Sequence, residues 1–277
     1  MMRLLVALLV LGLGALVVVS MESPEWIFAA AGSDWFPAEL GLGAERVDGL
    51  FDHTNLFAAG LLGLTFVALA WVVWRGAGRR GGEGSDRSGS RGLEALWTVV
   101  PAGIVVHLTL VQIEARETIA ADARGGEGAA APLVIEVEGV QFDWRFTYAG
   151  ADGVLGTLDD VTSVVDMPVP VGRPIELRME SVDVIHSFFV PELRMKRDVV
   201  PGTVTPLAFT IDPQDHAAAG SPETLELRCA ELCGWGHYAM VGRLLPMGQV
   251  AFEDWQARAG AAGFEADAMA DDVEDEG

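Results

Sequence analysis

Two uncharged apolar runs constrain this chain more than any other feature. Leu56–Trp74 and Ala95–Ile113 each hold nineteen residues without Asp, Glu, Lys or Arg. That is close to the roughly 20 residues needed to cross a bilayer's hydrocarbon. In lipid the backbone must satisfy its own hydrogen bonds, so each run reads as a spanning helix. Trp71 and Trp74 close the first run, where indole rings prefer the membrane interface. The second contains Pro101 and His107; proline is tolerated in a span when its surroundings satisfy the freed carbonyl. A mean hydropathy of +0.32 in a chain with 33 Gly and 13 Pro fits such segments and not a wholly soluble domain. A third run, Leu4–Val19, follows a single Arg3. Residues 1–21 therefore read as a signal peptide, with Val18-x-Ser20 as a small-residue cleavage site, or as an extra N-terminal membrane segment.

The Arg-rich linker at 75–91, with Arg75, Arg79, Arg80, Arg87 and Arg91, fixes the orientation, because short basic loops stay in the cytoplasm. Residues 45–116 then form a two-helix hairpin, and everything after about Arg116 lies outside, in a periplasm-like space. From Pro132 the pattern changes to strand-like alternation. LVIEVEGV, QFDWRF, PIELRME, TPLAFTI and TLELRC are short β-branched or aromatic runs divided by Pro, Gly and Asp turns. They predict an all-β sandwich or barrel over 132–257. Residues 258–277 are acidic and of low complexity, and are expected to be disordered.

The chemistry is concentrated in CAELCGWGHYAM, residues 229–240, which places Cys229, Cys233, His237 and Met240 within twelve positions. A sandwich can bring His186, in DVIHSFFVP, alongside. Soft sulfur with imidazole favours copper, and a thioether strengthens the preference. Zinc more often takes four Cys and His ligands and has little use for Met. Two cysteines, two histidines and a methionine suit two coppers bridged by both thiolates, each with one His, and with Met240 and a backbone carbonyl as weak axial ligands. A single blue copper, zinc, or a disulfide across the C-x-x-x-C spacing are the alternatives on spacing alone.

CAELCGWGHYAM, the upstream DVIHSFFVPELRMKRDVVPG, and two spans before a β-domain resemble subunit II of cytochrome c oxidase, over roughly residues 45–257. That resemblance implies a cupredoxin-like Greek-key sandwich carrying a dinuclear copper centre, CuA. It implies His186, Cys229, Cys233, His237 and Met240 as side-chain ligands and Glu231 as a main-chain carbonyl ligand. It further implies that the Glu231 carboxylate reaches a magnesium ion at the interface with subunit I, with Asp198 of KRDVVPG near that ion. Glu94, in LEALWTVVP, matches an acidic residue that opens a proton-uptake route; a helix N-terminal Glu favoured by the dipole is the alternative. QFDWRFTY resembles the aromatic stretch that takes electrons from cytochrome c. Here Phe142 falls where the family usually has tryptophan, and Trp144 follows two residues later, on the same face of a strand. Core packing is the commoner fate of such aromatics.

Other polar residues carry less. Asp152, Asp159 and Asp160 in DGVLGTLDD lack calcium-loop spacing and read as a solvated turn. His53 and His107 read as packing residues without partner ligands in this chain, and His216 as solvated.

Charge sets the expected partners. The chain carries 18 Lys and Arg against 40 Asp and Glu, a net of −22, which argues against nucleic acid. From Pro132 onward there are 26 acidic and 9 basic residues, a surface that attracts a basic donor and speeds its encounter. The family's donor is cytochrome c. Two cysteines exclude a disulfide-rich scaffold, and no CxxCH occurs, so haem is expected only in the partner subunit I. The expectation is a bacterial inner-membrane oxidase subunit contacting lipid, subunit I and the other oxidase subunits. A quinol oxidase subunit, which lacks the copper ligands, and a tethered copper carrier, which needs neither Glu94 nor Glu231, are the rivals. Nitrous oxide reductase shares the copper centre but needs a large additional domain.

Overall fold

The computed structural model describes residues 36–76, 90–125 and 128–274, with side chains through Ala261. The segment 1–21 and Arg79, Arg80 and Arg87 lie outside the described residues. The described chain forms two compact units.

The first unit contains most of two long helices, α1 (Ala44–Gly76) and α2 (Arg91–Asp122). At 1.5 Å per residue each is about 50 Å long, more than the ~30 Å hydrocarbon layer. Their apolar side chains point outward: α2 buries no residue, and Leu64, Val67, Trp71, Val99, Val105 and Leu110 are all exposed. Such surfaces are stable against lipid and a liability in water. The hydroxyls of Thr54, Thr65, Thr98 and Thr109 each donate to the carbonyl four residues earlier, so none needs water. His53 and His107, expected as packing residues without partner ligands, meet each other with their Nε2 atoms 3.2 Å apart, and the Phe57 ring packs against both. The two imidazoles contact one another across the hairpin.

The second unit is a two-sheet sandwich. Its strands are β1 (Leu133–Val140), β2 (Asp143–Tyr148), β3 (Val161–Val164), β4 (Asp166–Pro170), β5 (Ile175–Ser181), β6 (His186–Val190), β7 (Met195–Val199), β8 (Thr205–Phe209), β9 (Leu225–Cys229) and β10 (Val241–Met247). One sheet has the order β3-β2-β1-β5-β8, the other β4-β10-β9-β6-β7. Within them β1 pairs parallel with β5 and β10 with β4; the other pairings are antiparallel. The chain first changes sheets at Val165, whose positive φ of 70° makes the corner; its N–H donates to Trp144 and its carbonyl accepts from Arg243.

Alternation in the sequence becomes the core directly. Ile135 and Val137 of β1, Ile175, Leu177 and Met179 of β5, and Leu225 and Leu227 of β9 face inward and are fully or almost fully buried. Each such side chain contributes roughly 1.5–3 kcal/mol relative to exposure. Tyr148 ties the sheets together: its buried hydroxyl donates to the Pro168 carbonyl at 3.0 Å. Burial first, and then nearby Asp166, hold that phenol neutral by raising its pKa.

The β unit is larger than 132–257. Pro37–Glu45 belongs to it, with Leu40 almost fully buried in the sandwich core. Leu40 N–H donates to Glu192 and Leu42 N–H to Thr210, while the Leu40 carbonyl accepts from Asp212. A short helix α3 (Pro213–Ala218) is capped by Asp212, whose carboxylate accepts from the Gln214 and Asp215 amides. His216, expected to be solvated, contacts the Pro222 carbonyl through Nε2 at 3.1 Å. The stretch from residue 258, expected to be disordered, continues a helix α4 (Gln249–Glu274). Ala and Glu are good helix formers and no proline interrupts the run. Its first turns are fixed by Phe252 and Trp255 packing on the Tyr148 ring.

Candidate metal centre

Four segments at one end of the sandwich build the site. β9 ends in Cys229, β6 begins with His186, the β9–β10 loop carries the remaining donors, and the β1–β2 turn lies against that loop. Strands β6 and β9 pair with Phe188 opposite Cys229. His186, two residues from Phe188, shares its face and reaches beyond the end of β9. The loop closes at its neck, where Cys229 N–H donates to Met240 at 3.1 Å. A 3₁₀ turn over His237–Ala239 folds its second half.

The donor atoms converge without being bonded to one another. Cys229 and Cys233 are free thiols with their sulfurs 3.8 Å apart, so no disulfide joins them. His186 Nδ1 lies 3.9 Å from Cys229 Sγ, and His237 Nδ1 lies 3.5 Å from Cys233 Sγ. Met240 Sδ is 3.7 Å from Cys233 Sγ, and the Glu231 carbonyl oxygen is 3.2 Å from Cys229 Sγ. His186, Cys229 and Cys233 offer atoms within 4.8 Å of one another, and all three are buried. Burial, with Cys229 adding to it, pushes the Cys233 thiol up to about 11. A cation is what makes such thiols give up their protons, since only the thiolate is a strong ligand.

The imidazole is aimed by a residue that sequence reasoning missed. Asp183 Oδ1 contacts His186 Nε2 at 2.8 Å, which leaves Nδ1 directed at the sulfurs. The same carboxylate accepts from the Gln141 and Val184 amides at 2.7 and 2.6 Å. Burial alone would raise its pKa; the His186, Gln141 and Val184 hydrogen bonds outweigh that and lower it. Hydrogen bonding of a ligating His through its other nitrogen is the usual way such a ring is oriented. The spacing Asp183-x-x-His186 was visible, but a loop aspartate beside a strand has no distinctive signal.

The turn and the loop fit tightly. Gln141 Nε2 donates to the Cys233 carbonyl. Phe142 is half-buried beneath the loop, and a side chain at Gly236 would meet its ring at 2.5 Å. Gly234 has a φ of 135°, a conformation that favours glycine. Trp144 is fully buried, edge-on to His186 at 6.0 Å and to Phe188 at 5.7 Å. The two aromatics of QFDWRF are therefore separated: Phe142 lies under the loop and Trp144 behind a ligand.

The other expected residues lie as follows. The Glu231 side chain is exposed. Asp198 of β7 accepts from Lys196 Nζ at 2.7 Å and from Ser187 Oγ at 2.8 Å, and Ser187 follows His186 directly. Those two donors, Lys196 first, lower its pKa. Glu94 sits in the first turn of α2. The three aspartates of 152–160 bond to their own loop.

Two apolar spans and a mixed β-sandwich with a buried sulfur–imidazole cluster define a membrane-attached, cupredoxin-like metalloprotein subunit. The family described as cytochrome c oxidase subunit II, periplasmic domain, matches residues 133–243. Cytochrome c oxidase subunit 2 of Synechocystis sp. is 30% identical, over 84% of this chain and 78% of that protein. The alternative cytochrome c oxidase subunit 2 of Bradyrhizobium diazoefficiens is 29% identical, over 75% and 79%. Among solved structures, the periplasmic domain of cytochrome oxidase subunit II from Bradyrhizobium japonicum is 22% identical, with a TM-score of 0.39, covering 48% of this chain and 96% of that one. The chain belongs to the cytochrome c oxidase subunit II family, and His186, Cys229 and Cys233 form its candidate copper site, of the CuA kind.

Proposed function

We propose that this chain is the electron-accepting subunit of a respiratory cytochrome c oxidase in a bacterial inner membrane, holding two copper ions. One observation carries the reading: two thiols, two imidazole nitrogens, a thioether and a carbonyl converge with neighbouring donors 3.2–3.9 Å apart. That set exceeds what one tetrahedral ion takes and suits soft copper better than zinc. Cys229, Cys233, His186, His237, Met240 and the Glu231 carbonyl would together hold the ions. Such a centre, when bound, carries one electron at a time with little change of shape.

The chain's own residues do the rest. Asp183 holds His186 in its ligating tautomer, and the buried core behind Trp144 excludes water. The exposed Glu231 carboxylate is free to hold magnesium against subunit I, with Asp198 supporting that region through Ser187. Glu94, at the start of α2, would pass protons from the cytoplasm toward subunit I, where haem, oxygen reduction to water and proton translocation reside. Phe142, with Trp144 behind the ligand, is the expected route for electrons from cytochrome c.

Copper analysis and electron paramagnetic resonance on the purified, copper-loaded chain test this reading. Two coppers per chain sharing one unpaired electron are expected. One copper with a blue-type signal, or none, would overturn it. Glu94→Ala should slow turnover in the assembled oxidase while copper content stays constant; copper loss there would remove the proton role.

A further inference from the structure

We propose that His53 and His107 form a second metal site, a two-histidine clamp for a divalent cation of the zinc class at the outer end of the membrane hairpin. The clamp shares no residue with the sulfur loop and does not depend on its copper.

Two helices assemble the pair. His53 lies in the third turn of α1 and His107 in α2, 54 positions later. Their Nε2 atoms face each other at 3.2 Å, with ring centroids 5.4 Å apart and ring planes inclined by 55°. Phe57, one turn after His53, contacts both imidazoles at 5.3 and 5.6 Å between centroids and so restricts how they turn. Two nitrogens held at about 2.0–2.1 Å on a tetrahedral ion stand about 3.3–3.4 Å apart. The two Nε2 atoms already lie close to that spacing. A proton can close the same contact as an N–H···N hydrogen bond, but it engages only one Nε2 lone pair. A metal ion engages both, with each ring keeping its proton on Nδ1.

Donor type and position narrow the occupant. Magnesium and calcium prefer oxygen, and copper(I) is drawn to sulfur; imidazole alone suits a borderline ion such as zinc. Among the described residues no third His, Cys, Asp or Glu joins the pair in a ligand group. Water then takes the remaining positions, so the ion is exchangeable. His53 stands three residues before the uncharged run Leu56–Trp74, and His107 six before the end of Ala95–Ile113. The clamp is therefore near the outer boundary of the hydrocarbon. There His107 is exposed and His53 half-buried, within reach of an ion from the outer aqueous side. Within nine residues of either histidine the charged side chains are Glu45, Arg46, Asp48, Asp52, Glu114 and Arg116, four acidic and two basic. That balance favours a cation's approach. Once bound, the ion ties α1 to α2 and stabilises their pairing by mass action.

The test uses the full chain purified in detergent and loaded beforehand with copper, so that the sulfur loop is filled. Zinc per chain is measured by dialysis against a chelating buffer, copper by electron paramagnetic resonance, and the zinc ligands by X-ray absorption. One zinc is expected, bound by two imidazole nitrogens, with the copper signal unchanged. His107→Asn and His53→Asn each keep a polar group at the contact but remove a strong ligand. Each should weaken this zinc at least about 100-fold, beyond the 10–100-fold typical of groups that only orient a ligand. No zinc in the parent would overturn the proposal and leave the pair a hydrogen bond. Equal zinc in the parent and both variants would overturn it by placing the ion on other groups. Zinc that enters only as copper leaves would overturn it too, by placing the ion in the sulfur loop. A parent that takes no copper would contradict the copper reading alone: the loss of one zinc in His107→Asn would still report the clamp.

Discussion

Two loops of the β unit teach more together than either does alone. The loop from Cys229 to Met240 and the loop from Ala149 to Asp160 both connect strands, and both gather side chains able to hold a cation. In the acidic loop each carboxylate is already engaged by its own backbone or neighbour. Asp152 accepts from Val154 N–H, Asp159 from Asp152 N–H and the Thr157 hydroxyl, and Asp160 from Gly156 N–H. In the sulfur loop Cys229, Cys233 and Met240 are buried, His186 joins them from β6, and the donor side chains lie 3.5–3.9 Å apart. The first arrangement completes a turn with hard oxygen groups; the second sets soft sulfur beside imidazole. A copper site is recognised by that donor chemistry, not by how many donors a segment carries.

The largest effect that would break this comparison lies at Cys233. Cys233→Ser replaces a soft, buried donor at the meeting point of Cys229, His237 and Met240. Copper content measured against a competing chelator should fall by at least about 100-fold, beyond the 10–100-fold typical of groups that only orient a ligand. Converting Asp152, Asp159 and Asp160 together to Asn should leave copper content untouched. Equal copper loss in both variants would show that the acidic loop is a metal site after all.

Next in size is the group that aims His186. Asp183→Ala removes the acceptor for His186 Nε2 and for the Gln141 and Val184 amides. Copper affinity should drop about 10–100-fold while the ion count at saturation stays the same. A variant that binds copper as tightly as the parent would show that strand β6 alone orients the ring. Met240→Leu should be smaller still. Leucine fills the buried space nearly as well, so both coppers should stay, while the reduction potential shifts and electron transfer slows; unchanged turnover would deny Met240 an axial role.

How much of this was legible in the sequence depends on distance along the chain. The donors were legible because all but His186 fall within twelve residues and sulfur with imidazole has few other uses. The sandwich was legible because its strands alternate. Leu40 was not: its segment has no strand pattern, and its partners Glu192 and Asp212 lie more than a hundred residues away. His53 and His107 are 54 residues apart and meet only through the pairing of two helices that looked featureless inside their apolar runs. The start of α4 was hidden too, until Phe252 and Trp255 are seen packed on Tyr148. Phe142 and Trp144, two residues apart, looked interchangeable. Only the loop folded over one and the ligand set against the other separates them.

The smallest effect sharpens the comparison from the acidic side. The Thr157 hydroxyl, and then the Asp152 amide, hold the Asp159 carboxyl below its ordinary range, because both donate to the ionised form. A carboxylate whose folded pKa lies below its unfolded value of about 3.9 stabilises the fold above that value, and the contribution is lost as pH falls through the folded one. Asp159→Asn should therefore make thermal unfolding of the β unit less sensitive to pH below about 4, with only a slight loss at neutral pH, since the group is exposed. Copper content and the paramagnetic signal should be those of the parent. If the substitution instead perturbs the copper signal, the two loops are coupled through β2, whose two ends they adjoin. If the acid dependence is unchanged, the hydrogen bonds at Asp159 order the turn without contributing to stability, and the acidic loop is held by its backbone alone.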